Sequence, residues 1–285
     1  MIVNRNARAA LLQCIESLKR FPPVVSWEAI VVDNNSSDGS AAAIARQSPE
    51  TAVIANAENR GLARANNQGL AAARGEAVLI SNPDVTFTAG ALDALWYAMQ
   101  RHPRAAFVVP RLLHPDGSLQ TSAGDLPRLR EAILGRVANR RAAARAQTAS
   151  GFWWDGWAHD QERTIGHGAE ACYLVRMAAV AEIGAQDERF FLDWEGIEWS
   201  ARAQRHQWEV WFTPLAEVVH VGGASIKQAP VRWVVWSHQS LYRYFRRQSP
   251  AVLRPPLAAL VTLRAGAKIA SVVVGQPLYD RANRG

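Results

Sequence analysis

The fold is decided by residues 78–85, which read Val78-Leu-Ile-Ser-Asn-Pro-Asp-Val85. The apolar start of this stretch is typical of a buried strand, and Pro83 can neither continue a central strand nor leave the residue before it helical. Asp84 therefore follows directly after the carboxyl end of a strand. Ligands of open α/β sheets bind at that end, so the stretch predicts that Asp84 faces a cation or a phosphate-bearing ligand that brings one. The simpler alternative is that Asn-Pro-Asp is only a turn.

Predicted strands and helices alternate around this stretch. The strands are 2–3, 27–32, 51–55, 78–81 and 105–109, and the helices between them are 7–18, a segment opened by the polar loop 33–39, 62–73 and 91–100. The alternation predicts an α/β fold with a doubly wound, mostly parallel sheet and helices on both faces. The carboxyl ends of its strands would bring Asp33, Asn59 and Asp84 to one edge.

The second half of the chain has a less regular pattern. Residues 168–176 and 208–212 are predicted to be strands of a smaller, mixed extension of the sheet. Residues 231–247 and 257–274 are predicted to be C-terminal helices. Between them and the first half, the arginine- and alanine-rich residues 124–150 suggest a helix or lid over the site.

Composition limits the class of protein. With 285 residues, of which 49% are hydrophobic, the chain can bury a large core. Its net charge of +7 comes from arginine, because Lys19, Lys227 and Lys268 are the only lysines. The arginines are mostly scattered and no nucleic-acid-binding motif is present, so we expect no nucleic-acid partner. An anionic membrane surface or a phosphate-bearing substrate fits the charge at least as well.

The cysteines and the amino terminus indicate the compartment. Cys14 and Cys172 stand alone in apolar surroundings, which predicts buried thiols rather than a disulfide or a zinc site. The first residues lack the apolar core of a signal peptide, and no stretch is expected to be long enough to span a bilayer. The sequence therefore predicts a cytoplasmic protein, with contact to the inner face of the membrane as a further option.

A dinucleotide-binding dehydrogenase is one alternative, because an acid such as Asp33 at the end of the second strand also holds a ribose in those proteins. Such proteins need a glycine-rich phosphate turn after the first strand. Here residues 4–9 read Asn-Arg-Asn-Ala-Arg-Ala, without a glycine. The sequence argues against this class, and a pyrophosphate would be neutralised most simply by a cation at Asp84.

Seven segments, in order along the chain, carry a more specific pattern. They are Ile-Val-Asn-Arg-Asn at 2–6, Val-Val-Asp-Asn-Asn-Ser-Ser-Asp-Gly at 31–39, Asn-Arg-Gly-Leu-Ala-Arg-Ala-Asn-Asn-Gln-Gly at 59–69, Ser-Asn-Pro-Asp-Val at 81–85, Pro-Arg-Leu-Leu-His-Pro-Asp-Gly at 110–117, Asp-Glu-Arg-Phe-Phe at 187–191, and Pro-Leu-Ala-Glu-Val-Val-His at 214–220 with Ser225. Together they resemble the family 2 glycosyltransferases of bacteria, in particular the rhamnosyltransferase-like group.

The resemblance implies a GT-A fold and the transfer of a sugar from a nucleotide diphosphate donor to a glycan or lipid-linked acceptor. Asp33 would contact the base or ribose of the nucleotide sugar. Asp84 would hold a divalent cation, Mg²⁺ or Mn²⁺, and His220 would complete the metal site or touch the diphosphate. The donor pocket would be shaped by Asn59, Gly61 and Asn67. Without the resemblance, these residues are also explained as helix caps, turn residues, a helix-surface residue and a core histidine.

The resemblance also implies a domain division. Residues 1–230 would form the GT-A domain, with a nucleotide-sugar-binding half at 1–110 and an acceptor half at 111–230. Residues 231–285 would form a C-terminal helical tail. The aromatic residues of segment 152–157 would either stack on an acceptor or pack in the core, and core packing is the commoner use.

An acceptor hydroxyl needs a carboxylate to take its proton. The family has an acid pair after Phe-Phe whose second member is taken as the base, but here residues 190–199 read Phe-Phe-Leu-Asp-Trp-Glu-Gly-Ile-Glu-Trp, with Gly196 in its place. Glu195, aligned with the first member, is the predicted catalytic residue, followed by Glu198 and then Asp193. Alternatively, these acids only favour a helix amino terminus. Gly196 also motivates a second hypothesis, a catalytically silent sugar-nucleotide-binding or scaffold protein.

The C-terminal tail carries the predicted membrane contact. Basic side chains beside aromatic residues would hold the tail against anionic lipid. The alternative is that the tail helices pack on the catalytic domain. The basic residues concerned are Arg243, Arg246, Arg247, Arg264 and Lys268.

Overall fold

The computed structural model describes residues 1–133, 151–222 and 229–275. The strands are β1 (Ile2–Asn4), β2 (Ile30–Asp33), β3 (Ala52–Ala55), β4 (Ala77–Ser81), β5 (Val85–Phe87), β6 (Ala105–Leu113), β7 (Leu119–Gln120), β8 (Ala123–Gly124), β9 (Arg163–Ile165), β10 (His167–Gly168), β11 (Cys172–Arg176) and β12 (Glu209–His220). The helices are α1 (Arg8–Arg20), α2 (Ser40–Gln47), α3 (Leu62–Ala72), α4 (Ala91–Arg101), α5 (Met177–Ile183), α6 (Glu195–Arg205), α7 (Pro230–Gln248) and α8 (Arg254–Val273), with a 3₁₀ turn (Ala251–Leu253) before α8. Ser225 and most of the expected lid lie outside the described residues.

One large sheet organises the molecule, with the strand order β3-β2-β1-β4-β11-β6-β12-β5. The first four strands are parallel, because helices connect them as crossovers. Strand β12 is parallel to β6, whereas β5 is antiparallel to β12. Strands β7 and β9 pair with β6 and β12, and β8 pairs with β10 in a separate small sheet. The predicted α/β fold with a mostly parallel sheet is confirmed.

The position of β11 was not expected. The sequence predicted residues 168–176 as part of an extension, but β11 lies between β4 and β6 and is antiparallel to both. Its first residues therefore lie at the carboxyl end of β4. Cys172 pairs with Ser81, and the Asn82 amide donates a hydrogen bond of 2.8 Å to the Ala171 carbonyl oxygen. The segment that enters β11 thus belongs to the edge where ligands of such sheets bind.

Buried apolar side chains hold the helices on the sheet. Leu11, Ile15 and Leu18 lie on one face of α1 and pack with Ile2 and Val31 of the first two strands. Full burial of such a side chain stabilises a protein by about 1.5–3 kcal/mol. The two cysteines are free and buried, as predicted.

The C-terminal helices pack on the acid-bearing helix α6. Trp194 and Ile197 share a buried cluster with Leu241, Tyr244 and Leu257 of α7 and α8. Packing of the tail on the catalytic domain is therefore confirmed.

Several of the basic side chains expected at a membrane face the protein instead. The Nε atom of Arg264 donates to the Ile133 carbonyl oxygen at 2.9 Å, and Lys268 Nζ lies 5.6 Å from the ring centroid of Trp233. Arg247 pairs with Glu198 at 3.2 Å. Arg264 and Lys268 are thus engaged by the protein, whereas Arg247 is exposed, and the electrostatic contact with lipid stays a prediction.

The expectation that no stretch could span a bilayer was wrong. Residues Ala251–Val273 form a 23-residue helical segment that contains an 18-residue stretch with a mean hydropathy of 1.4, so the segment is long and apolar enough to cross a membrane by length and composition. Pro255 and Pro256 lie in the first turn of α8, where a missing N–H costs nothing. Core helices of globular proteins pass the same test, and one side of α8 is packed on the protein through Leu257 and Val261.

Candidate functional site

Asp33 ends β2 at the carboxyl edge of the sheet and is 4% exposed. Its Oδ1 atom accepts a hydrogen bond of 2.9 Å from Asn4 Nδ2, and its Oδ2 atom accepts one of 3.0 Å from the Ser36 amide. These bonds fix the carboxylate between the ends of β1 and β2. Each oxygen keeps a lone pair for a further donor, such as a ribose hydroxyl.

The turn at residues 59–61 is held by side-chain amides. Asn34 Nδ2 donates to Asn59 Oδ1 at 2.8 Å, and the Gly61 amide donates to the same oxygen at 3.1 Å. Gly61 has φ +81, and a Cβ atom there would lie 2.7 Å from the Phe191 carbonyl oxygen. That oxygen accepts a 2.7 Å hydrogen bond from the Leu62 amide. The turn therefore brings the predicted donor residues against the segment that precedes the acids.

The Asn67 side chain is hydrogen-bonded to the backbone of Gln186. Its Nδ2 atom donates to the Gln186 carbonyl oxygen at 2.9 Å, and its Oδ1 atom accepts from the Gln186 amide at 3.0 Å. Both ends of the side-chain amide are thus bound to one backbone segment, which α3 holds in place. A direct contact of Asn67 with a donor stays a prediction.

Asp84 and His220 form the candidate cation site. Asp84 Oδ1 lies 3.4 Å from His220 Nε2, and Asp84 Oδ2 accepts a hydrogen bond of 3.1 Å from the Gly222 amide. Burial by itself would raise the pKa of Asp84, but the hydrogen bond and charge of His220, with the Gly222 amide, hold that pKa below its ordinary value. A carboxylate that stays charged although buried is suited to a cation.

Gln120 orients the histidine of this site. Its Oε1 atom lies 2.7 Å from His220 Nδ1, and its Nε2 atom lies 3.3 Å from His114 Nδ1. With the amide oriented in this way, Nδ1 of His220 donates to Gln120 and Nε2 is the nitrogen that faces Asp84, with its lone pair free for a cation when no proton is bound there. Two acceptors 3.4 Å apart need a proton or a cation between them, so these residues fit a divalent ion.

Asp84 and His220 would be two of the ligands of such an ion, and the remaining ligands would not be protein side chains of the described residues. Over residues 1–133, 151–222 and 229–275, no group of three or more His, Cys, Asp or Glu side chains is arranged to hold a metal. An ion with two protein ligands leaves several coordination positions for ligand oxygens and water.

The three acids at residues 193–198 differ from one another in their surroundings. Glu198 forms ion pairs with arginines. Its Oε2 atom accepts from Arg202 Nη2 at 3.0 Å, and its Oε1 atom accepts from Arg247 Nη1 at 3.2 Å. For Asp193, burial raises the pKa and hydrogen bonds from side chains of α7 oppose that rise. Both acids therefore tie α6 to the C-terminal helices, and a catalytic role for either stays a prediction.

Glu195 is the first residue of α6 and is 0% exposed. Among the described residues, no hydrogen-bond donor reaches either of its carboxylate oxygens. Burial, and then the charge of Glu170, raise the pKa of Glu195 well above its ordinary value. The predicted role of Glu195 as the base stays untested.

Glu170, which the sequence reasoning missed, is the neighbour of Glu195. It lies in the segment that enters β11, next to Glu195, and burial raises its pKa to about 7. A signal was present in the sequence, because Glu170 is an acid in the otherwise small and apolar stretch Gly-Ala-Glu-Ala-Cys before a buried strand. Only the pairing of β11 with β4 shows that this stretch lies at the site edge.

The aromatic residues at 152–157 mostly serve packing. Trp154 is 3% exposed and belongs to the core cluster of the sheet. Arg163 lies over the rings of Trp154 and Trp157, with its guanidinium carbon 4.8 Å and 5.6 Å from the two centroids. Phe152 stacks on Trp194 with 5.7 Å between ring centroids. The core-packing alternative therefore holds for most of this segment.

The sequence of the chain is similar to those of known glycosyltransferases. The family model described as Glycosyl transferase family 2 matches residues 1–155. An N-acetylglucosaminyl-diphospho-decaprenol L-rhamnosyltransferase of Mycobacterium tuberculosis is 28% identical over 270 residues, which cover 90% of this chain and 85% of that protein.

Solved GT-A glycosyltransferases share the fold. The mannosyltransferase PcManGT from Pyrobaculum calidifontis, solved with GDP-Man and Mn²⁺, matches with a TM-score of 0.56 and 17% identity over 99% of this chain and 76% of that chain. GalNAc-T7, solved with UDP, GalNAc and Mn²⁺, matches with a TM-score of 0.58 and 14% identity over 97% of this chain and 57% of that chain. Identities this low show similarity of fold alone.

Proposed function

Because the chain belongs to glycosyl transferase family 2, we propose that it is an inverting, metal-dependent glycosyltransferase of cell-envelope polysaccharide synthesis. It would move a sugar from a nucleotide diphosphate to a glycan or lipid-linked acceptor. The observation that carries the proposal is the pair of buried Asp84 and half-buried His220, 3.4 Å apart at the carboxyl edge of the sheet. The name of the mycobacterial relative supports a dTDP-rhamnose-like donor and a lipid-linked N-acetylglucosamine acceptor.

In the proposed reaction, the residues at the carboxyl edge of the sheet have different roles. Asp33 accepts a hydrogen bond from the nucleotide, and the turn at Asn59 and Gly61 shapes the donor pocket. Asp84 and His220 hold Mg²⁺ or Mn²⁺, which when bound neutralises the charge of a departing diphosphate. The acceptor oxygen attacks the anomeric carbon from the side opposite the diphosphate, a carboxylate takes its proton, and the configuration inverts.

We also propose that α8 rests on the membrane that contains the acceptor lipid. In residues 251–275 every side chain with high exposure is uncharged. The large apolar ones are Val252, Leu253, Leu260, Leu263, Val273 and Val274. Such a face would enter the boundary between headgroups and acyl chains. The contact is proposed on the cytoplasmic side, because nucleotide sugars are donors of the cytoplasm.

The proposal is tested with purified protein, Mn²⁺, a panel of nucleotide sugars and a lipid-linked N-acetylglucosamine diphosphate. Wild-type protein should transfer one sugar of the panel, and Asp84→Ala should lower kcat/KM by at least about 10²-fold, because the ion loses a ligand. The matched control is Asp116→Ala, since Asp116 is exposed in a surface turn. Equal activity of the Asp84 and Asp116 variants would contradict the cation site.

A second candidate function is a catalytically silent sugar-nucleotide-binding protein, which Gly196 favours. It predicts that the protein binds a nucleotide sugar with Mn²⁺, as calorimetry would measure, without turnover of any donor. The same panel therefore separates the two functions.

A further inference from the structure

Glu170 occupies the space that a side chain at residue 196 would need. A Cβ atom built on Gly196 would lie 2.7 Å from Glu170 Cγ, 2.8 Å from its Cδ and 3.0 Å from its Oε1. Atoms cannot approach so closely without a shift of one of them. A side chain with a carboxylate at residue 196 would therefore clash with Glu170 in its present position. Because residue 196 is a glycine, the Glu170 side chain can occupy this space.

The position of Glu170 also brings it to the ligand edge. The next residue, Ala171, accepts the hydrogen bond of the Asn82 amide in the turn that carries Asp84. On the other side, Phe191, shortly before α6, contacts the turn at Gly61. Glu170 thus stands between the cation turn and the start of the acid-bearing helix.

Glu170 keeps access to space that Glu195 lacks. Its side chain is partly exposed and lines a small void of about 10 Å³ together with Tyr173, Gly196 and Ser200, whereas Glu195 is 0% exposed. An acid that accepts a substrate proton needs such access. We propose that Glu170, supported by Glu195, is the carboxylate that takes the proton of the acceptor hydroxyl in this protein. This inference rests on the proposed glycosyl transfer.

The proposed step is balanced. The acceptor O–H bond breaks and its proton moves to a carboxylate oxygen of Glu170. The acceptor oxygen forms a bond to the anomeric carbon, while the bond from that carbon to the diphosphate oxygen breaks and leaves its electron pair on the diphosphate. Glu170 later loses the proton to water, so the products are the glycoside, the nucleoside diphosphate and one proton.

The charges around the pair suit this role. Glu195 and Asp193 are the acids that face Glu170, and Tyr173 is the third titratable neighbour. Burial raises the pKa of Glu170 to about 7, while the neighbouring carboxyl group of Glu195 and the amides of Gly196 and Ile197 oppose the rise. A base with a pKa near the working pH is the most effective one.

A structural role is the competing explanation, because a carboxylate near the amides of Gly196 and Ile197 also stabilises the amino terminus of α6. The near-isosteric Glu170→Gln keeps the shape and removes the base. It should lower kcat by about 10²–10⁴-fold with little change in calorimetric binding of the nucleotide sugar and Mn²⁺. Glu195→Gln still offers a donor to Glu170 and should keep more of the kcat than Glu170→Gln. The matched control is Glu16→Gln, an exposed acid of α1.

A second experiment moves the carboxylate from residue 170 to residue 196, so that a loss of activity by misfolding can be distinguished from the loss of the base. The double variant E170G/G196D removes the acid from one segment and returns one to the other without the clash, so it should exceed the single variant E170G in kcat by about tenfold or more. The acid limb of its pH profile should move away from pH 7. Folding of each variant is checked by thermal unfolding.

The outcomes separate the two proposals. If wild-type protein transfers sugar and folded Glu170→Gln transfers it equally well, the role of Glu170 is overturned and the proposed function stands. A folded E170G/G196D without a gain over E170G overturns it as well. If wild-type protein transfers no sugar from the panel to the acceptor, the proposed function fails and this inference fails with it.

Discussion

Glu195 makes stability depend on pH, because burial and the charge of Glu170 raise its pKa well above the ordinary 4.5. Above pH 4.5 the folded state then binds more protons than the unfolded state, so the free energy of unfolding falls as pH rises toward the folded-state pKa. Glu195→Gln removes this loss. We expect the variant to unfold at a higher temperature than wild-type protein at pH 8 and to differ less from wild-type protein at pH 5.

Thermal unfolding of both proteins at the two pH values measures this. Glu16→Gln is the control, because Glu16 is exposed and should unfold like wild-type protein at either pH. If Glu195→Gln is destabilised equally at pH 5 and pH 8, the carboxyl group is needed for packing. In that case its ionisation in the folded state would not be what lowers the stability of wild-type protein.

Individual site residues were predictable where a local rule places them. Asp33 and Asp84 each follow an apolar strand, so the general geometry of parallel sheets brings them to one edge. His220 was suggested by the resemblance, and it lies beside Asp84. Glu170 follows no such rule. Its place depends on the pairing of β11 with β4, between residues far apart in the chain, and no local spacing encodes that pairing.

At the level of elements, the turn before α3 depends on the absence of a side chain at Gly61. Gly61 and Gly90 precede α3 and α4 with φ +81 and φ +77, but a Cβ atom on Gly61 would meet Phe191, whereas one on Gly90 would meet nothing within 4 Å. Gly90→Ala should cost only the left-handed backbone, about 1–2 kcal/mol. Gly61→Ala should cost at least about 1 kcal/mol more and lower the affinity for the nucleotide sugar.

Urea unfolding of the two variants measures the difference in cost. That difference combines the contact with Phe191 and the backbone, because ψ is 170° at Gly61 and −4° at Gly90. Equal free energies of unfolding would show that Phe191 moves aside without cost. In that case the turn would not fix the segment that leads to the acids.

The elements of the first half were predictable to within a few residues, and those of the second half were not arranged as expected. Helical spacing in α1 and apolar runs in the parallel strands are local signals. The insertion of β11 at the centre of the sheet is a property of long-range pairing. The turn into α6 is also unusual, since Asp193 and Trp194 both have left-handed backbone, with φ 61 and φ 71. Such backbone persists only where the surroundings over-determine it, here through the packing of Trp194 on α7.

For the whole molecule, the C-terminal helices connect the acid-bearing helix to the proposed membrane surface. Trp194 and Ile197 of the acid segment pack with Tyr244 and Leu257 of the tail. A bilayer under α8 would therefore lie at a fixed position relative to the acids. This arrangement suits an acceptor whose glycan is attached to a lipid, because the lipid need not leave the membrane.

The apolar character of α8 predicts how the protein binds a bilayer. Arg264 and Lys268 contact the protein, so binding to vesicles should survive high salt, unlike an attraction between basic residues and anionic lipid. Leu263→Glu places a charge on the exposed face and should lower the fraction of protein that floats with phosphatidylglycerol vesicles by about fivefold or more. Leu215→Glu is the matched control, because Leu215 on β12 is 69% exposed and Leu263 is 73% exposed. Equal flotation of the two variants, or loss of wild-type flotation at 0.5 M salt, contradicts the apolar contact, whatever the outcome for sugar transfer in detergent.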